Sequence, residues 1–205
     1  MLEKRWYNRL GDFGFNLILL NILWVAFTLL GLVIFGLFPA TIALFAVIRK
    51  WILENEDTPI LQEFIKRYKA EFKMANVIGY IVFLIGMGLY LDFQIVQKIS
   101  NESLQVLLIN AILVIGIFYL IAVLYVFPLY VHFDFKLMKY LQYACILSIA
   151  RPFQTIMMVA FVGVILYLYM LMPALIFPFG MSLFSYIVMR VAALSFPKKK
   201  VLQET

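Results

Sequence analysis

The chain has 205 residues, of which 65% are hydrophobic and 14% are charged, and its net charge is +6. A water-soluble domain contains about 45–50% apolar and about 25% charged residues, so this composition excludes an ordinary soluble fold and predicts a membrane protein. An excess of Lys and Arg is typical of the cytoplasmic loops of membrane proteins. We therefore expect no nucleic-acid partner, despite the basic balance, and a lipid bilayer as the surroundings.

Few residues are available for catalysis or for metal binding. Cys145 and His132 are each the only residue of their type, which excludes an intrachain disulfide and any site built from several cysteines or histidines. The phosphate-binding GxxxxGK[ST], zinc-binding HExxH and hydrolase GxSxG patterns do not occur in the sequence. We therefore expect no enzymatic activity, no metal and no cofactor.

The amino-terminal region predicts a surface segment followed by a first membrane span. Residues 1–14 carry aromatic and basic side chains at about helical spacing, which suits an amphipathic helix at the membrane interface; a frayed polar terminus is the alternative. Residues 15–37 are long enough to cross a bilayer, which needs about 20 apolar residues, and we expect this span to be retained rather than cleaved. An unpaired amide inside it would be costly, so we expect Asn21 to hydrogen-bond to another helix.

The first span is followed by a break at Gly36 and Pro39. The apolar sequence then resumes for only about ten residues before Arg49, which is too short to cross a bilayer alone. This piece is predicted to be either a re-entrant half-helix or an amphipathic helix on the membrane surface.

The remainder of the chain alternates polar and apolar segments. Residues 49–73 predict an amphipathic cytoplasmic segment, and residues 131–151 predict a helical hairpin or an interfacial helix. The fold class is therefore all-α: a polytopic membrane helical bundle of about five spans, plus the re-entrant or interfacial helix after the first. The further spans are predicted at residues 74–96, 104–130, 152–172 and 179–196, within a bundle of residues 15–196, and a basic tail follows at 197–205.

The distribution of Lys and Arg predicts the orientation. Residues 49–73, 131–151 and the tail are basic, whereas the connections at 97–103 and 173–178 are nearly uncharged, so the carboxyl terminus is predicted to be cytoplasmic. The amino terminus is also basic, yet a single crossing would leave it outside. A hairpin made by the first span and the segment after it would bring both basic flanks to the cytoplasmic side.

Ionisable and amide side chains in or near the spans are the candidate functional residues, because such groups are expensive to hold in a bilayer. Charges near span ends also extend to the interface for purely structural reasons. His132 and Asp134 are two residues apart and would face different directions on a helix, so we expect no catalytic relay between them. The candidates are Asn21, Asp92, Gln94, His132, Asp134, Arg151 and Arg190.

Several short motifs, taken in order, resemble the YesL family of bacterial membrane proteins, a family of unassigned activity. The resemblance covers about residues 10–195 and implies a multi-pass protein of the bacterial cell membrane. Because members of this family often lie beside genes for oligosaccharide uptake and breakdown, it also implies an accessory role in carbohydrate uptake or its regulation, without catalytic residues. The matching residues are Asn21, Leu23 and Trp24; Pro39, Ala40 and Thr41 with Ala43, Leu44 and Arg49; Glu63 and Phe64 with Phe72 and Lys73; and Pro128 with Phe133 and Asp134.

Two functions of different kinds fit the sequence. The first is a non-enzymatic accessory protein that binds a sugar transporter subunit or a sensor, because span 74–96 carries glycines that allow close helix packing. The second is a small solute or ion transporter or channel, because discontinuous helices build the substrate sites of many transporters. A homo-oligomer is compatible with either function.

Overall fold

The computed structural model describes residues 6–53 and 59–196, with side chains from residue 11 onward. In these ranges every regular element is a helix, and five of the helices are long and apolar enough to cross a membrane, which confirms the predicted all-α membrane bundle. The helices are α1 (Trp6–Leu30), α2 (Leu37–Leu53), α3 (Ile60–Val96), α4 (Glu102–His132), α5 (Leu137–Ala150), α6 (Pro152–Leu171) and α7 (Ile176–Ser195), with a 3-10 turn at Pro173–Leu175.

Helix α2 lies at the centre of the bundle, where it packs against α1, α3, α4 and α7. All of its residues from Pro39 to Ile48 are buried. A helix that is apolar and enclosed on every side belongs to a core, whereas a surface helix keeps one polar, exposed face. The segment after Pro39 is therefore an interior helix, which agrees with the re-entrant alternative and not with the surface helix.

A tight turn joins α1 to α2, and it ends α1 at Leu30 rather than at the predicted residue 37. The turn closes because two glycines touch: a Cβ added to Gly31 would lie 2.3 Å from the Cα of Gly36. Leu32 and Val33 between them have φ angles of 56° and 64°, a region that β-branched residues rarely adopt. The contact with Gly36 thus holds two apolar residues in a left-handed conformation.

Side chains of α3 hydrogen-bond to the turn. Asn76 Nδ2 donates to the carbonyl oxygen of Phe35 at 3.0 Å, and the Tyr80 hydroxyl donates to that of Ile34 at 2.9 Å. Because bilayer hydrocarbon offers no water to satisfy exposed carbonyls, these bonds let a non-helical turn lie among apolar helices. α3 continues beyond Tyr80 to Val96, a further distance of about 24 Å, so the tip of the α1–α2 hairpin stops well short of the end of α3.

Both ends of the hairpin lie at one end of the bundle, which we call the basic end: the end where α2 and α4 finish and α3 begins. Arg49 near the end of α2 contacts His132, the last residue of α4. Phe196, just after α7, stacks on the same histidine with ring centroids 4.5 Å apart. Phe13 of α1 packs against Tyr186 of α7 at 4.9 Å. Tyr186 lies midway along α7, and Asn21, further along α1, bonds to the first turns of α7, so the two helices are antiparallel and the start of α1 is directed toward the end of α7.

Three further predicted boundaries differ from the structure. The segment 49–73 and the span 74–96 are not separate, because α3 runs without a break from Ile60 to Val96. The region 131–151 contains one helix, α5, preceded by an extended linker after His132. Of the predicted interfacial segment 1–14, residues 6–14 form the start of α1, and residues 1–5, like the predicted tail 197–205, lie outside the described residues.

Candidate functional site

The most concentrated set of charges in the described ranges surrounds Glu63, in the part of α3 that precedes the span. Glu63 is only 6% exposed. Its Oε1 lies 3.1 Å from Lys50 Nζ of α2 and accepts a hydrogen bond of 2.9 Å from Arg67 Nε, one turn along α3. Burial raises the pKa of Glu63, but the hydrogen bonds and positive charges of Arg67 and Lys50 outweigh it, so the net pKa is below the ordinary value.

Arg49 and His132 join α2 to α4 beside this group. Arg49 Nε donates to His132 Nδ1 at 3.4 Å. The imidazole is held on its other sides by aromatic rings, stacking on Phe196 and meeting Phe133 edge to face, each at 4.5 Å. His132 therefore connects the ends of three helices, α2, α4 and α7.

Glu71 and Tyr130 complete the arrangement between α3 and α4. The Tyr130 hydroxyl donates to Glu71 Oε2 at 2.6 Å. Together with Arg49 and Arg67, these two residues line a polar cavity of about 50 Å³, and Ile42, Ala46 and Val131 complete its lining. We call Arg49, Lys50, Glu63, Arg67, Glu71, Tyr130 and His132 the basic-end cluster.

Asn21 forms the hydrogen bonds expected of it. Its Nδ2 donates to the carbonyl oxygen of Phe177 at 2.7 Å, and its Oδ1 accepts from the backbone N–H groups of Met181 and Ser182 at 2.9 and 3.3 Å. The side chain is 3% exposed. Asn21 thus satisfies the backbone of the first turns of α7 and joins α1 to α7, which is a structural task.

The other predicted candidates do not meet at a common site. Asp92 and Gln94 are exposed near the far end of α3, where Gln94 Nε2 donates to the hydroxyl of Tyr90. Arg190 is exposed on α7, near the basic end. Arg151 is exposed between α5 and α6, and Asp134 is exposed in the linker after α4. Of the seven candidate functional residues, His132 alone belongs to the basic-end cluster.

No group of three His, Cys, Asp or Glu side chains within residues 6–53 and 59–196 could hold a metal ion. The cluster is instead a set of paired charges that links α2, α3 and α4. The ion pairs and hydrogen bonds of the cluster hold the ends of these helices together beside a small polar cavity.

Comparison with known proteins places the chain in a family. Residues 17–93 match a family described as protein of unknown function, DUF624. Three uncharacterized proteins of Bacillus subtilis (strain 168) are similar over most of their length. YteU is 40% identical over 171 residues, which cover 83% of this chain and 76% of YteU. YesV is 39% identical over 179 residues, 87% of this chain and 86% of YesV. YesL is 35% identical over 186 residues, 90% of this chain and 87% of YesL. The chain belongs to the YesL family. No solved structure matches it.

In this YesL-family chain, the motifs that carry the resemblance contact one another. Trp24 Nε1 donates to Thr41 Oγ1 at 3.0 Å, and the Thr41 hydroxyl donates to the carbonyl oxygen of Leu37 at 2.8 Å. Arg49 and Glu63 both belong to the basic-end cluster. The motif residues therefore hold the α1–α2 hairpin together and position the charged end of the bundle.

Sequence reasoning missed most of the basic-end cluster because it sought charges inside the predicted spans. Glu63, Arg67 and Glu71 precede the span, in the segment 49–73 that is predicted to be amphipathic and cytoplasmic. Their spacing of four residues was a usable signal, since residues i, i+4 and i+8 form one column on a helix. Tyr130, one of many aromatic residues at a span end, carried no distinguishing signal.

Proposed function

We propose that this protein is a non-enzymatic accessory protein of the bacterial cell membrane, with a cytoplasmic carboxyl terminus, that binds a membrane partner of a carbohydrate uptake system. One observation carries the proposal: the centre of the bundle is sealed while the charges gather at one end. In α2, Ala40, Ala43, Leu44 and Val47 have no exposed surface. A closed apolar centre supports binding rather than transport, and a fixed set of charges suits recognition by a partner.

The carbohydrate part of the proposal comes from the YesL family resemblance, since the three relatives carry no assigned activity. A transporter subunit or a membrane sensor for an oligosaccharide would contact the basic end, which positive-inside asymmetry assigns to the cytoplasmic side. Lys66 and Lys69 are exposed on α3 at this end, available to an acidic surface.

The test is quantitative recovery from native membranes. Tagged wild-type protein, crosslinked in cells and purified, should bring down a transporter or sensor subunit in near-equal amount, and deletion of the gene should reduce oligosaccharide uptake. Lys66→Glu should weaken this recovery, because it reverses a charge on the proposed surface. Lys98→Glu is the matched control, since Lys98 is exposed in the connection between α3 and α4, at the opposite end. Recovery of the protein alone, with uptake intact after deletion, would refute the proposal.

A second candidate function is a small transporter or channel, favoured by one specific observation. The backbone is non-helical at 31–36 and is satisfied there by side chains of another helix, a feature of helices that are broken to build substrate sites. Solute and ion flux into liposomes containing the folded protein decides this candidate. Flux that requires the protein would support it, and its absence would leave the accessory role.

A further inference from the structure

We propose that a groove on the surface of α4 binds one acyl chain of an anionic phospholipid, and that Arg151 contacts the headgroup of this lipid. The groove separates α3 from α5, which both pack against α4. It has a volume of about 380 Å³, and Val82 of α3, Val126 of α4 and Ile149 of α5 are among the residues that line it. We call it the α5 groove. This inference does not depend on a role in sugar uptake.

The lining of the α5 groove suits a hydrocarbon chain. It is apolar apart from Tyr119, Cys145 and Ser148. The Tyr119 hydroxyl donates to the carbonyl oxygen of Val82, and the Ser148 hydroxyl donates to that of Cys145, each at 2.7 Å. Because the hydroxyl donors are already engaged, a polar ligand such as a sugar would leave its own groups unpaired in the groove.

The α5 groove lies on the basic-end side of the membrane. Its α4 wall runs from Ile115 to Val126, a length of about 16 Å, and Val126 precedes Tyr130 of the basic-end cluster by about 6 Å along the helix. The hydrocarbon core of a bilayer is about 30 Å thick. The groove therefore has about the length of the acyl chains in one leaflet, and it begins near the headgroups of that leaflet.

The volume of the groove fits a chain and not a helix. A volume of about 380 Å³ is roughly twelve times the share of about 30 Å³ that a water molecule has in the liquid, so it holds a chain of about a dozen methylene-sized groups. An α-helix with its side chains is about 10–12 Å across, and a length of about 16 Å would occupy more than about 1,000 Å³. A helix of a partner or of a second copy would lie over the groove without filling it, and the groove walls would lose dispersion contacts.

Arg151 provides the charge that selects the headgroup. It follows Ile149 of the groove wall by two residues and is exposed where α5 ends and α6 begins. Among the described residues it has no ion-pair partner. The end of α5 and the start of α6 carry opposite dipole charges, which offset each other, so the guanidinium keeps its full positive charge.

The position of Arg151 along the bundle agrees with a headgroup contact. The Tyr169 hydroxyl, near the end of α6, donates to the carbonyl oxygen of Gly180, near the start of α7, at 2.9 Å, so these two helices are antiparallel. Because α7 ends at the basic end, α6 begins toward that end, with Arg151 directly before it. A guanidinium can bind two phosphate oxygens at once, and a lipid of net negative charge has no cationic group to offset this attraction.

The experiment uses the full chain in a maltoside detergent and counts retained lipids by native mass spectrometry. Phosphatidylglycerol is titrated against phosphatidylcholine with identical acyl chains. We expect one lipid to bind saturably, with phosphatidylglycerol preferred about tenfold, as a charge-assisted hydrogen bond provides. The absence of saturable binding, or equal binding of the two lipids, would overturn the proposal.

Two variants, each with a matched control, assign the chain and the headgroup to their contacts. Cys145→Trp fills the groove and should abolish saturable binding, whereas Ile146→Trp, at an exposed residue beside it that does not line the groove, should not. Arg151→Gln should remove the preference for phosphatidylglycerol while phosphatidylcholine still binds. Lys66→Gln, at an exposed charge of α3 about 24 Å from Val82, should leave the preference unchanged. Equal effects of a variant and its control would contradict the assignment.

A second measurement uses the natural thiol and needs no large substitution. Cys145 is the only cysteine of the chain, and its side chain is exposed in the groove. Phosphatidylglycerol should slow its alkylation by N-ethylmaleimide over the concentration range in which the lipid binds. Ile146→Cys in a chain with Cys145→Ser should not be protected. Unprotected Cys145, or a dimer in the native mass spectrum that Cys145→Trp dissociates, would show that a lipid chain is not the occupant.

Discussion

Replacing Gly36 by alanine tests the turn on which the α1–α2 hairpin depends. A methyl group at Gly36 would lie 2.4 Å from the carbonyl oxygen of Thr28, 2.7 Å from that of Phe27 and 2.9 Å from the Cα of Gly31. All three are backbone atoms, and both carbonyls accept turn hydrogen bonds, at 2.8 Å from Val33 and 3.1 Å from Gly31. The turn must therefore open. Overpacking costs about 1–3 kcal/mol and each lost bond about 1 kcal/mol, so we expect a loss of about 3 kcal/mol in unfolding free energy.

The measurement is unfolding of the purified protein in detergent micelles, followed by helical circular dichroism, with Gly88→Ala as the matched control. Gly88 lies inside α3, and a Cβ there would meet nothing within 4 Å. Because alanine favours a helix over glycine by about 1 kcal/mol, Gly88→Ala should leave stability unchanged or raise it. Equal stability of the two variants would show that the turn does not have the close glycine contact described.

Three further predictions concern helix contacts, charge and backbone strain. Asn21→Ala should lower the unfolding free energy by about 2 kcal/mol, since it leaves α7 backbone groups without a partner. Asn110→Ala is the control and should cost much less, because the Asn110 amide bonds within its own helix. Similar losses in the two variants would contradict this role of Asn21. Glu63→Gln should cost about 2 kcal/mol at neutral pH. Folding lowers the pKa of Glu63 from 4.5, so the stabilisation that ionised Glu63 provides is present above about pH 4.5 and is lost as the pH falls through the folded pKa. The unfolding free energies of wild type and variant should therefore converge in acid. A difference that does not depend on pH would refute the pairing. Val33→Gly should raise stability by about 0.5–1 kcal/mol in the same unfolding assay, because valine is strained at positive φ, and a loss would contradict that strain.

The membrane character and the number of long helices could be predicted from the sequence, because both follow from composition and from the length of apolar runs. Asn21 was also predictable, since a buried amide in an apolar helix must find a partner on another helix. The identity of that partner was not, because it is backbone at Phe177 and Met181, and a backbone group carries no residue-specific signal.

The position of α2 could not be settled from the sequence. Its ten apolar residues fit a surface helix or an interior one, and only the enclosing contacts of four neighbouring helices distinguish the two. The sequence likewise did not indicate that α3 is one continuous helix, since its first turns alternate charged and apolar residues while the rest is almost wholly apolar. The change in composition near Lys73 marks a change of surroundings along a single helix and not the end of one.

The cluster at the basic end could be predicted only in part. Lys50, Glu63 and Arg67 come from two helices joined by residues 54–58, and their pairing requires α2 to return beside α3. That packing includes a close approach of Phe38 of α2 to Gly79 of α3, where an added Cβ would lie 2.0 Å from the Phe38 ring, and no helical periodicity reveals such an approach.

The most direct test of the structure is to determine on which side of the membrane the two ends of the α1–α2 hairpin lie. Single cysteines at Gly11, Leu53 and Lys98, placed in a chain whose Cys145 is replaced by serine, are treated in intact cells with a membrane-impermeant maleimide. We predict that Lys98→Cys is labelled from outside, while Gly11→Cys and Leu53→Cys react only after the membrane is made permeable. Labelling of Gly11→Cys in intact cells while Leu53→Cys stays protected would show that the first helix crosses the membrane without returning, and would contradict the hairpin.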